Sequence, residues 1–222
     1  MEAFALMAIM ALAQTDEVDP PPAKDNGRLI LDLSLGGSWF DDILGEEIDP
    51  GAFGSIGIGY EWNVTDTGAV SVELEYSQHN GDSSGSTTFG GGTLSRIGQR
   101  TVAWDGDVRS QVLMINGMWT QTLWSEDHNG FLVYGGAGIG YADNEVDVDF
   151  TFTRLQARSD TRRIDVSDSG FAWQVLGGIG WRFDAHSKVY LGGRYADLGT
   201  LNDGFDIDVE SLVFEIGYSY SF

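Results

Sequence analysis

Cysteine is absent from the 222 residues, so neither a disulfide framework nor a thiolate metal site exists, and strand pairing must hold the fold together. Basic residues are scarce. Twelve Lys and Arg stand against 34 Asp and Glu, a formal net charge of -22, which argues against nucleic acid as a partner because phosphates are repelled. No stretch approaches the roughly 20 apolar residues of a membrane-spanning helix. The nearest is a short apolar segment from Ala3 to Ala13, which closes on Ala11-Leu12-Ala13, the small-x-small pattern that precedes signal-peptide cleavage. Glu2 stands where a basic residue is expected, so residues 1–13 read as a signal peptide with a truncated start. Proline is also rare, and three of the four form Pro20-Pro21-Pro22 within a polar stretch, so residues 14–27 read as an extended periplasmic leader.

Glycine and aromatic residues are abundant instead: 31 Gly and 12% aromatics, a combination that suits sheet and not disorder. From Arg28 onward, segments with period-two alternation recur. In the first, Leu29, Leu31, Leu33, Leu35 and Trp39 oppose Asp32, Ser34 and Ser38. The second runs over about 52–62 and the third places Val70, Val72, Leu74 and Tyr76 against Glu73 and Glu75. Further segments lie near 107–123, 131–142, 170–183, 188–198 and 212–222, the fourth blurred by Met114 and Met118. Eight strands is an even count, as a closed antiparallel bacterial barrel requires. The expected fold is all-β, an eight-stranded antiparallel up-and-down transmembrane β-barrel over residues 28–222.

Alternation also fits a soluble barrel or sandwich, and three features separate the cases. Connectors after strands two, four and six are short (63–67, 125–130 and 184–187), whereas those after strands one, three and five are long, which is the outer-membrane arrangement. Aromatics of the apolar face gather in two bands, with Trp39, Tyr76 and Trp173 at the loop end and Trp62, Trp119, Trp181, Tyr218 and Tyr220 at the turn end, as lipid-water interfaces favour. The polar face mixes glycine with ionisable groups, which suits a narrow, crowded lumen.

The segments LVYGGAGIGYA (132–142), FAWQVLGGIGWRF (171–183), YLGGRYADLG (190–199) and LVFEIGYSYSF (212–222), with LMINGMW (113–119), resemble the OmpA-like and opacity-type outer-membrane β-barrel family of surface antigens of Gram-negative bacteria. The resemblance covers the mature chain, each motif being degenerate, and Gly193 departs from the aromatic often found before the arginine. It implies a cell outer membrane location with both termini periplasmic, outer-membrane lipid and lipopolysaccharide as surroundings, and the barrel-assembly machinery as the reader of terminal Phe222. Since Phe222 is the last residue, a cell-wall-binding domain beyond it is not expected.

Asp32, Glu73, Arg194 and Glu215 are expected at similar depth on the polar face as a buried ion-pair cluster, led by Arg194 with Glu215, and Glu61, Arg182 and Lys188 form a second group nearer the turns. Buried charges persist only when paired. A structural plug is favoured over an ion path. Acidic residues of the first loop (Asp41, Asp42, Glu46, Glu47, Asp49) and the last (Asp203, Asp206, Asp208) suit divalent cations in chemistry but more often form solvated surface, so no metal site is assigned. Arg154, Arg158, Arg162 and Arg163 of the third loop would suit anionic sugar phosphates. Of three histidines, only His79, near Ser77, is placed for a Ser-His arrangement, in a context that matches no hydrolase motif. The expectation is a monomeric, non-enzymatic surface barrel without cofactor, serving envelope integrity or adhesion through its loops and an extracellular ligand; a narrow porin-like ion channel and a lipid A-modifying enzyme are the alternatives.

Overall fold

The structure is a computed structural model in which residues 27–40, 49–89, 100–126, 129–154, 160–202 and 206–222 are described. The segments read as signal peptide and leader, as well as Asp41, Asp42, Glu46, Glu47, His128, Arg158 and Asp203, lie outside them. The described residues form eight strands: β1 Gly27–Phe40, β2 Asp49–Asn63, β3 Gly68–Phe89, β4 Arg100–Glu126, β5 Asn129–Arg154, β6 Asp160–Arg182, β7 Ser187–Asn202 and β8 Asp206–Ser221. Each pairs antiparallel with its sequence neighbour, and β1 pairs with β8 from Ile30↔Ser221 to Phe40↔Ser211, so the sheet closes as a barrel without edges in that zone.

Apolar residues of the alternating pattern lie outside. Leu35, Ile58, Ile115, Ile139, Phe171 and Ile216 are exposed, whereas their sequence neighbours face a closed lumen. Burying the barrel's own backbone groups in ladders and presenting hydrocarbon outward is what a lipid environment demands. The lumen is narrow because bulky inward residues rest over glycines of the adjacent strand. Met118, Asn116 and Met114 of β4 lie over Gly136, Gly138 and Gly140 of β5, and the Tyr134 hydroxyl lies over Gly178 and Gly192. Met114 is buried in the lumen, which resolves the blurred alternation of the fourth strand.

Strands β3 to β6 run far beyond the others. The stretches after strands three and five, expected as long loops, are continuations of strand: β3 pairs with β4 out to Phe89↔Arg100, and β5 with β6 out to Phe152↔Asp160. At a rise of about 3.3 Å per residue and the usual barrel tilt, β3 reaches roughly 30 Å past Tyr76. Polarity reverses along the way. Past the aromatic band the outward residues are Asp82, Asp105, Asp107, Glu145, Asp147, Asp149 and Asp165, and the inward ones include Val102, Val108, Val146, Val148, Phe150 and Val166. A sheet leaving hydrocarbon for water keeps its pleat but must exchange its faces.

Candidate functional site: a closed lumen and a projecting sheet

Three layers fill the lumen. Midway, Arg194 of β7 is 3% exposed and reaches two carboxylates: Nη1 donates to Glu75 Oε1 at 2.5 Å, and Nη2 to Glu215 Oε2 at 2.7 Å. Nη1 also donates to Gln174 Oε1, Gln174 Nε2 donates to Asn116 Oδ1, and Ser34 donates to Glu215. The guanidinium lies 4.7 Å over the Phe53 ring. Two carboxylates, a carbonyl and an aromatic face compensate the desolvation of one cation, which a single partner rarely does.

Toward the turns, Glu61 accepts Arg28 Nη2 at 2.6 Å through one oxygen and Lys188 Nζ at 3.3 Å through the other. Between these layers a cavity of about 30 Å³ is lined by Asp32, Glu73, Tyr134, Tyr190 and Arg194. Asp32 Oδ2, Tyr134 OH and Arg194 Nε have no protein partner there. A volume of this size with several polar groups admits one or two waters and nothing larger.

At the loop end, Phe40, Val108, Val112, Met114, Ala142, Ala172, Ala196, Leu198 and Val209 form a buried apolar cluster, with Val146 and Val166 against it. It continues the inward apolar face of the projecting sheet down into the barrel mouth. An apolar seal above a charged layer opposes entry of both water and ions.

The expected clusters are thus divided differently. Arg194 meets Glu215 on the adjacent strand, but its second carboxylate is Glu75, not Asp32 or Glu73, neither of which makes a direct ion pair among the described residues. Glu61 and Lys188 come together, yet Arg28 fills the place expected for Arg182. Glu75 shares the inward face with Glu73, and only the stagger of the closed barrel brings it across to β7. Arg163 is engaged by Asp147 and Asp165, and Asp208 by Thr200. His79 is buried with Nε2 at Ser77 and Nδ1 at Ser211, its ring edge on Phe53. Both nitrogens are taken by hydroxyls in a sealed interior.

On the outside, Trp39, Trp62, Tyr76, Trp119, Trp173 and Trp181 are exposed, and Tyr218 and Tyr220 half-buried. Phe222 donates its backbone N–H to Leu29 O, with its ring edge-on to Tyr220.

Residues 3–222 match the family model described as the outer membrane protein beta-barrel domain. The chain belongs to this outer-membrane barrel family. Family membership carries an outer-membrane location for the barrel and agrees with its lipophilic exterior. No curated protein matches in sequence. Among solved structures, the barrel is similar to Neisserial surface protein A at 14% identity and a TM-score of 0.49, covering 87% of this chain and 97% of that one. It is also similar to the attachment invasion locus protein Ail of Yersinia pestis, at 15% identity and a TM-score of 0.42, covering 89% and 99%. A third is CarO2 of Acinetobacter baumannii, at 14% identity and a TM-score of 0.40, covering 87% and 99%.

Proposed function

We propose that this barrel is a non-enzymatic surface scaffold with its termini in the periplasm, holding the tips of β3–β6 well clear of the membrane for adhesion or for contacts that strengthen the envelope. The observation that carries this reading is the projecting sheet with reversed polarity. A backbone ladder of this length positions binding loops more rigidly than free loops would, which is how recognition surfaces are commonly built. Its acidic convex face rises at the level of lipopolysaccharide, the lipid surrounding a monomeric barrel. Phe222, at the seam between β8 and β1, is the residue that the assembly machinery would read.

The sealed lumen weighs against the channel reading, and the enclosed His79 against a lipid A-modifying enzyme. The deciding experiment compares cells carrying the intact chain with cells carrying one in which β3–β4 and β5–β6 are joined by short turns just past the aromatic band. Loss of adherence or of envelope resistance to detergent, with the shortened barrel still folded by heat-dependent gel mobility, supports the reading. Unchanged adherence and resistance would overturn it. Well-defined unitary conductance in planar bilayers, altered by Arg194→Ala, would favour the channel, and altered lipid A mass lost in His79→Ala would favour the enzyme.

A further inference from the structure

The turn-end mouth of the barrel gathers a disproportionate share of the few cations in a chain of net charge -22. Arg28, Arg182 and Lys188 converge there from β1, β6 and β7. Glu61 is the carboxylate between them, and both of its oxygens are already engaged, one by Arg28 and the other by Lys188. Arg28 also donates Nη1 to Ala185 O. Arg182 is left over. It is half-buried, forms no hydrogen bond or ion pair among the described residues, and the charges acting on it are repulsion from Arg28 and attraction to Glu61.

Between Arg28 and Arg182 opens a cleft of about 380 Å³, also lined by Asn63, Thr65, Asp66, Ser125 and Ala185. A half-buried guanidinium facing another, with no acceptor of its own among the described residues, is a costly arrangement unless an anion completes it. The lining supplies what an oxyanion needs: two forked guanidinium donors, two hydroxyls and an amide. The carboxylate of Asp66 stands in the exposed β2–β3 turn and does not count among the charges acting on Arg182. The Asp184 carboxylate is turned to the backbone N–H groups of His186 and Ser187.

We propose that this mouth is an oxyanion site, in which Arg28 and Arg182 clamp a phosphate group borne by a small solute or by an anionic lipid headgroup. Planar bidentate donors match phosphate geometry better than a lone lysine would. The site is independent of the projecting sheet, so its failure leaves the surface-scaffold reading untouched.

The test uses the full chain in nanodiscs of phosphatidylcholine, following the side-chain Nε–Hε signals of Arg28 and Arg182 by NMR during titration with inorganic phosphate and then pyrophosphate. Expected is a saturable shift of both signals, weakened about tenfold or more in Arg182→Gln and unchanged in Arg109→Gln at the other end. In phosphate-free buffer Arg182→Gln is expected to be at least as heat-stable as the parent, because a repulsion is relieved, and phosphate is expected to raise the Tm of the parent alone. In nanodiscs rich in phosphatidylglycerol, signals already shifted before titration identify a lipid headgroup as the source, and signals that still respond identify a free phosphate. Absence of any shift, an equal response in Arg182→Gln, or lower stability of that variant without phosphate would overturn the proposal.

Discussion

Asp107 of β4 stands directly opposite Asp147 of β5. The row continues through Asp82 on β3 and Asp165 on β6, and Asp49 of β2 closes it at one side, so five aspartates lie in register across five strands on the outward face. Like charges directly opposed weaken a ladder unless a proton or a cation intervenes. A hydrogen bond with Asp107 holds the Asp82 carboxyl above its usual range, and one with Asp165 does the same for Asp147, whereas the Arg163 guanidinium lowers Asp165.

The sign of the resulting pH dependence follows. For Asp82 and Asp147, raised in the folded sheet, the stabilisation is full below the unfolded pKa and is lost as pH rises through the folded value. Asp165 acts oppositely, losing its contribution as pH falls through its lowered value. The opposed pairs Asp82↔Asp107 and Asp147↔Asp165 share a proton in mild acid and face each other as like charges at neutral pH, so the projecting sheet is expected to loosen as pH rises. Hydrogen-exchange protection factors of amides in residues 80–86 and 144–150, corrected for intrinsic rates, should fall between about pH 4 and pH 7, while those of residues 54–60 stay constant.

Arg194→Met should strand Glu75 and Glu215 in the lumen and cost about 3–5 kcal/mol in reversible unfolding. Adding Glu75→Gln and Glu215→Gln should recover much of that loss. If the single variant were as stable as the parent, the mid-lumen network would not be a structural plug.

Gly217 lies opposite Tyr190, and a Cβ there would enter the Tyr190 ring. Gly217→Ala should therefore cost about 1–3 kcal/mol through overpacking, and Tyr190→Ala in the same chain should relieve it. Folding yield into detergent, read by heat-dependent gel mobility, distinguishes the two.

The reversal of polarity also locates the water boundary. Ile139→Arg, in the outer apolar band, should cost about 2–4 kcal/mol, and Thr151→Arg, on the same face of β5 beyond the boundary, within about 0.5 kcal/mol of nothing. Equal penalties would place both residues in hydrocarbon.

That reversal also explains what could be read in advance. In β5 the apolar residues Val133, Ile139 and Tyr141 occupy odd positions, as lipid requires. From Val146 to Phe152 the even positions are apolar and the odd ones are Asp147, Asp149 and Thr151. A pattern search that follows one parity sees the strand stop at Ala142, whereas the backbone ladder continues to Arg154. The three short turns and the lipid-facing sides of all eight strands needed no such change of parity and were legible. Within the lumen, Glu215 was recognisable as the adjacent-strand partner of Arg194. Glu75 was not, because its reach from β3 across to Arg194 of β7 is set by the stagger and depth of the closed barrel, whereas Arg28 faces Glu61 directly on the neighbouring strand β2, a local pairing that the alternation pattern passed over.

The meeting of β1 with β8 has a kinetic consequence. The seam joins the first and last strands of the sheet, and its outermost described bond runs from Phe222 N–H to Leu29 O. Contacts this distant in sequence carry the largest loop-closure penalty in the molecule. Until they form, β1 and β8 both present open edges. An assembly intermediate would therefore be a curved sheet with seven paired hairpin interfaces and a single gap, and any factor that holds the β8 edge in that state governs when the barrel becomes a sealed object.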